Sequence, residues 1–283
     1  MGALEGAMLL KILVLALIGW SASFVSGMVG IGGAVIKYPM LLYLPPLLAG
    51  FSYSAHEVAG LNAIQVFFAT LSAVVALRKE PYLNRSLVLY MGGAILLASF
   101  IGGFGAQYLS QAAVNVVFAF LAVAALFLMF LPKKALDDVP PDKVRFNRAL
   151  AVGIAVFVGL ASGVVGAGGG FILVPLMLFI LRIPTRMTIA TSLAVTFLNS
   201  IGSTLGKVLS NQIIYWPDGV VLVIASMLGA PLGARLMTRT SPRLLQGILT
   251  ALIALTVAKM WWDILLPGEV PADAPLPPAE PEN

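Results

Sequence analysis

Apolar residues run along this chain in blocks of about twenty, the length that crosses a bilayer core of about 30 Å as a helix. Polar or glycine- and proline-rich stretches separate the blocks. Long blocks lie near 7–29, 57–77, 86–109, 111–131, 147–165, 187–209, 217–238 and 243–266. Two shorter ones, 33–49 and 169–181, follow glycine clusters and contain Pro39, Pro45, Pro46 and Pro175, which predicts short, kinked or half-helical crossings. The pattern predicts an all-α polytopic membrane protein with about 10 membrane segments, 8 full-length plus 2 short or broken. The first block is longer than a typical signal-peptide core and carries only Lys11 as a basic residue near its start, so it is expected to be a membrane span.

The glycine clusters are copies of each other. SGMVGIGGAVIKYP at 26–39 returns as SGVVGAGGGFILVP at 162–175, and ASFIGGFGA at 98–106 returns as ASMLGAPLGA at 225–234 with one residue inserted. A duplication over most of each half predicts a first transmembrane repeat at 1–131 and a second at 149–266. The join at 132–148, with three prolines and eight charges, is expected to be a cytoplasmic linker. The 267–283 stretch, with six prolines and four acids, has the composition of a disordered tail.

Charge orients these segments. Thirteen of the seventeen Lys and Arg cluster at 78–85, 133–148, 182–186 and 235–243. If both short segments cross, all four clusters fall on one side, which the positive-inside rule makes cytoplasmic. Both termini are then outside, in the cell inner (plasma) membrane. Five crossings per half would set the second repeat upside down relative to the first.

Composition narrows the class. Hydrophobic residues are 60%, charged residues 10%, and mean hydropathy is +1.00, far from the roughly one-quarter charged composition of a soluble domain. The net charge of +5 lies between apolar blocks without interleaved aromatics, so it reads as topology and not as a nucleic-acid patch. Cysteine is absent, which excludes disulfides and thiolate sites. No Asp or Glu stands mid-span, and no catalytic pair shares a helix. An enzyme is not expected, nor are a cofactor or a metal. The predicted partners are a small anionic substrate and the lipid bilayer.

Helix breaks survive at membrane depth only where freed backbone groups meet protein, water or a ligand, and a matched pair in two half-chains points to a transport site. Around Gly30, Gly32 and Gly33, and again around Gly166, Gly168 and Gly169, backbone can take positive φ and present several N–H groups together. Helices starting just beyond would aim their positive ends at the same place. Close helix packing is the competing use of such glycines. The Gly202/Gly206 and Gly229/Gly233 faces fit packing within one chain or across a homodimer equally well. The glycines do not follow GxGxxG.

Polar side chains within spans are Asn62 and Gln65 in the first half, and Thr191, Ser192, Thr196 and Asn199 in the second. All can donate neutral hydrogen bonds to an oxyanion, while Ser and Thr can also bond back to their own helix. Lys37 stands four residues past Gly33 where the second copy has Leu173, and is either a binding cation or a residue that snorkels to an interface. Lys207 is expected to anchor a span end at the interface. His56 and Glu57 suit a helix N-terminus, and Trp216, Trp261 and Trp262 suit an aromatic belt.

The two glycine motifs, the ATSLAVTFLNS stretch at 190–200 and the layout over 7–266 resemble the TauE/SafE sulfite exporter family of membrane permeases. The resemblance implies export of sulfite or a small organosulfonate such as sulfoacetate. In the first half, GLNAIQVFFAT at 60–70 departs from the threonine-serine pattern of its counterpart. The same architecture would also serve an anion channel, or an importer of another small anion or a metal ion.

Overall fold

The computed structural model describes residues 2–32, 34–78, 80, 82–130, 144, 146–166, 168–210 and 216–265. Gly33, most of the 132–148 linker and the 267–283 tail lie outside the described residues. Ten α-helices and no strand occur among those described: α1 Gly2–Val29, α2 Ala34–Ala49, α3 Ala55–Leu77, α4 Arg85–Gly105, α5 Gln111–Met129, α6 Arg148–Val165, α7 Gly170–Pro175, α8 Thr185–Leu209, α9 Trp216–Arg239 and α10 Pro242–Leu265. All but α2 and α7 are long and apolar enough to span a membrane, 8 in number. Helix α2 keeps Pro39, Pro45 and Pro46 inside one run, whereas α7 gives way at Pro175 to a π-helical turn, Leu176–Ile180. A proline removes one ladder hydrogen bond, and the wider turn absorbs it.

Helices α3 and α8 form the centre. Of their apolar windows 67% and 72% are buried, against 22–44% for the other six long helices. Around them, helices distant in sequence lie side by side and run the same way. Along α1 and α9, Gly27 faces Ala230, Gly229 faces Trp20 and Phe24, and Gly233 faces Phe24 and Met28. Along α4 and α6, Gly102 faces Leu160 and Gly163 faces Ser99 and Gly103. Helix α4 also runs parallel to α8, where Gly92 meets Leu198, Gly202 meets Leu96 and Phe100, and Gly206 meets Phe100 and Phe104. At all of these glycines but Gly92, which meets the Leu198 side chain, an added Cβ would strike partner backbone, so their small size sets the interhelical distance. Gly202/Gly206 and Gly229/Gly233 therefore pack within this chain.

The packing has a two-fold pattern. Exchanging α1 with α6, α2 with α7, α3 with α8, α4 with α9 and α5 with α10 turns the α4–α6 contact into α9–α1 and the α4–α8 contact into α9–α3. The α3–α8 and α5–α10 contacts map onto themselves.

Helix ends are fixed by local chemistry. Ser54 and Glu57 form a reciprocal capping box at the start of α3, which bears out the expected N-terminal role of Glu57. His56 Nε2 lies 3.1 Å from the Leu109 carbonyl oxygen and ties that end of α3 to the start of α5. Asp218 at the start of α9 pairs with Lys11 at 2.9 Å and accepts from the Tyr53 hydroxyl at 2.5 Å, joining the two halves.

One substitution at two glycines separates packing from propensity. Gly102→Ala, whose Cβ points at the Leu160 carbonyl, is expected to lower the unfolding free energy of the detergent-purified protein by about 1–3 kcal/mol. Gly247→Ala, which meets open space in α10, is expected to leave the thermal midpoint unchanged or slightly raised.

Candidate functional site

Both glycine clusters interrupt their helices. Gly30 and Gly32 between α1 and α2, and Gly166, Gly168 and Gly169 between α6 and α7, all have φ between 67° and 80°. Any L side chain is strained there. The two breaks meet at the middle of the molecule. A Cβ on Gly32 would lie 2.7 Å from Thr196 Cγ2 and 3.4 Å from Val66 Cγ1; one on Gly168 would lie 2.6 Å from Val66 Cγ1 and 2.8 Å from Thr196 Cγ2. The same two side chains thus support both breaks. Val66 and Thr196 occupy equivalent places when GLNAIQVFFAT at 60–70 is aligned with ATSLAVTFLNS at 190–200. The breaks also touch directly, since a Cβ on Gly170 would lie 2.7 Å from the backbone of Ile31.

Aromatic rings lock this junction from behind. Tyr38 of α2 stacks on Phe118 of α5 with ring centres 4.5 Å apart, and Phe118 packs on Phe171 of α7 at 5.4 Å. The Tyr38 hydroxyl donates to Asn115 Oδ1 at 2.8 Å, so a single helix, α5, holds the starts of both short helices.

Polar groups surround the junction, and several lack partners. Lys37 Nζ and Gln65 Nε2 both donate to Ser23 Oγ at 3.0 Å. On the other side, Ser162 Oγ donates to Asn199 Oδ1 at 3.2 Å. Among the described residues, Asn62 Oδ1 and Nδ2, Gln65 Oε1, Thr196 Oγ1 and Asn199 Nδ2 are buried with no hydrogen-bond partner. A buried unmet polar group costs about 1–3 kcal/mol, so such a concentration at one place points to a ligand or water that completes it. The Asn62 and Asn199 amide nitrogens, the Thr196 hydroxyl, the Lys37 ammonium and the Gly170 and Phe171 N–H groups at the start of α7, ahead of those of Ile172 and Leu173 that bond the Gly169 carbonyl, match an oxyanion's need for several donors.

The sequence-expected residues divide accordingly. Gly30, Gly32, Gly166, Gly168, Gly169, Lys37, Asn62, Gln65, Thr196 and Asn199 lie at or beside the junction. Ser192 instead donates to the Gly30 carbonyl at 2.8 Å and braces the first break. Thr191 accepts from the Asn84 backbone N–H at 3.1 Å, away from the glycines, and ties the α3–α4 connection to α8. Lys37 does not snorkel: it is 0% exposed. Nor is Lys207 an interfacial anchor. It too is 0% exposed, and its ammonium donates to the Val164 carbonyl at 3.0 Å, because its side chain lies on the inward face of α8 against the Gly166 turn. Sequence reasoning missed Ser23, Ser162 and Val66. Ser23 could have been sought as the partner that a lysine inside a span requires.

Comparison with known proteins follows the same lines. The family model described as "Sulfite exporter TauE/SafE" matches residues 15–260. "Probable membrane transporter protein YunE" of Bacillus subtilis is 26% identical over 246 residues, covering 80% of this chain and 88% of its own length. A "Probable membrane transporter protein" of Haemophilus influenzae is 26% identical over 254 residues, 88% of this chain and 94% of its own. "Probable membrane transporter protein YdhB" of Bacillus subtilis is 27% identical over 258 residues, 88% of this chain and 97% of its own. No solved structure matches.

The unpaired hydroxyl gives a direct test. Thr196→Val keeps the shape and deletes a group with no partner, so it is expected to stabilise the ligand-free protein by about 1 kcal/mol in thermal unfolding. Ser162→Ala strips Asn199 Oδ1 of its donor and is expected to destabilise it by a similar amount.

Proposed function

The chain belongs to the TauE/SafE sulfite exporter family of membrane transporters, and from that premise we propose that it exports a small sulfur-containing anion, sulfite, sulfoacetate or a related organosulfonate. The anion sits where the two glycine breaks meet, with Lys37, Asn62, Thr196 and Asn199 supplying donors and Gln65 holding Ser23 at its edge. The observation that carries this reading is the convergence of both breaks on Val66 and Thr196, amid buried polar atoms without partners. The runner-up, a channel or an importer of another small anion or a metal ion, has no comparable support.

The repeats are inverted, with ten crossings and both termini outside. Parallel packing supports this. Helix α4 runs with α8, and α1 runs with α9. If neither short segment reversed the chain, eight alternating crossings would set α4 and α8 antiparallel. Reversal at both α2 and α7 satisfies both pairs. With that topology α2 leads outward from the junction and α7 toward the cytoplasm, so their positive ends face each other across the anion.

Transport proceeds by alternating access, one half moving against the other around the fixed junction. No carboxylate is needed to couple it. One negative charge leaving a negative-inside cell gains about 2.3 kcal/mol per 100 mV, roughly fiftyfold in concentration at equilibrium.

Proteoliposomes loaded with sulfite or sulfoacetate are expected to show saturable efflux that accelerates under an imposed potential. Gly32→Leu and Gly168→Leu add a side chain at positive φ against Thr196 and Val66, strain of about 1–3 kcal/mol, and are expected to cut efflux about tenfold or more at equal protein level. Undiminished efflux in both variants removes the junction as the site; unitary currents make the protein a channel.

A further inference from the structure

The polar face of α8 continues beyond the junction. Ser192, Thr196, Asn199, Ser203 and Lys207 follow one another in steps of three or four residues, the spacing of one helix face, and all are 0% exposed. Ser203 Oγ, like Thr196 Oγ1 and Asn199 Nδ2, is buried with no partner among the described residues. Lys207 closes the row, bonded to the Val164 carbonyl beside the second break. From Thr196 to Lys207 the rise is about 16 Å at 1.5 Å per residue, half of a hydrocarbon core.

The counterpart face of α3 shows that packing does not require this polarity. Aligned with Thr196, Asn199, Ser203 and Lys207 are Val66, Ala69, Ala73 and Leu77, equally buried and wholly apolar. Both faces fill the centre of the molecule. Only the one on α8 carries unmet donors, at about 1–3 kcal/mol each.

We infer that the face of α8 from Thr196 to Lys207 is the outer half of the path by which a small oxyanion leaves the junction, with Ser203 a donor along it and Lys207 the cation at its far end. The inference rests on the anion-export reading and its orientation. Hydroxyl and amide donors replace water one after another along the row, and the ammonium draws the anion outward. Along α3 the inner half carries no unmet donor on this face, the Thr70 hydroxyl being spent on the Val66 carbonyl at 2.6 Å, and it closes dry behind the anion.

The chain contains no cysteine, so single cysteines can be introduced without a background. S203C and A194C, the latter a buried apolar position of α8 on the opposite side of the helix from this face, are treated in sealed membranes with an anionic, impermeant methanethiosulfonate applied from the outer side. S203C is expected to react at least about tenfold faster than A194C, and its modification to stop sulfite efflux. S203A and K207M are expected to slow efflux about threefold to tenfold, with sulfite affinity at the junction, measured by thermal shift, kept within about twofold; K207R should restore part of the rate. S203C labelling at the A194C rate, in protein that still exports sulfite, overturns the path and leaves the junction standing. Should S203C fail to fold, wild-type efflux in both S203A and K207M overturns it equally. Absence of sulfite efflux from the wild-type protein overturns the junction reading, and the path with it.

Discussion

Backbone amides and carbonyls have nowhere to go in hydrocarbon, and this one constraint governs the molecule. Eight long helices meet it with their own ladders. The two interruptions cannot, so each sits where other parts of the chain reach it. Gly30 is answered by the Ser192 hydroxyl, the Gly166 turn packs on Ala59 and Lys207, and the Gly32 and Gly168 turns close on each other's neighbours. Such openings are affordable only at the centre of the protein. Once there, they can serve a passenger ion as readily as a neighbouring residue.

Rigidity around the junction comes from two sources of different character. Glycine contacts between parallel helices bring backbones together, and the Tyr38–Phe118–Phe171 stack fixes the starts of the short helices through α5. Both are apolar and independent of bound ions. The polar groups inside this frame are free to be underfilled, as Asn62 is. A stiff apolar frame around an unsatisfied polar interior is the arrangement that preorganised binding requires.

Much of this was written in the chain. Block length revealed the long helices, and the repeated SGxVGxGG motif located both breaks to the residue, because positive φ demands glycine. The polar positions in α3 and α8 stood out because few polar side chains occur in spans. What stayed hidden was tertiary. Lys207, near the end of its block, looked like an interfacial residue, and only the central placement of α8 buries it. Thr191 and Ser192 are adjacent in sequence yet serve different neighbours, a distinction that depends on which helix each face meets. Val66 drew no notice, since nothing in a valine announces that two backbone turns lean on it.

The parallel pairing of α1 with α9 has a consequence for how the chain is made. During synthesis the first helix enters the bilayer with its glycine face uncovered and Lys11 without Asp218, and both wait until the ninth helix emerges. Until then the amino-terminal segment is a lodger in lipid, held by its own hydrophobicity and by the bonds from Lys37 and Gln65 to Ser23. The chain's beginning is therefore among the last parts to complete its packing.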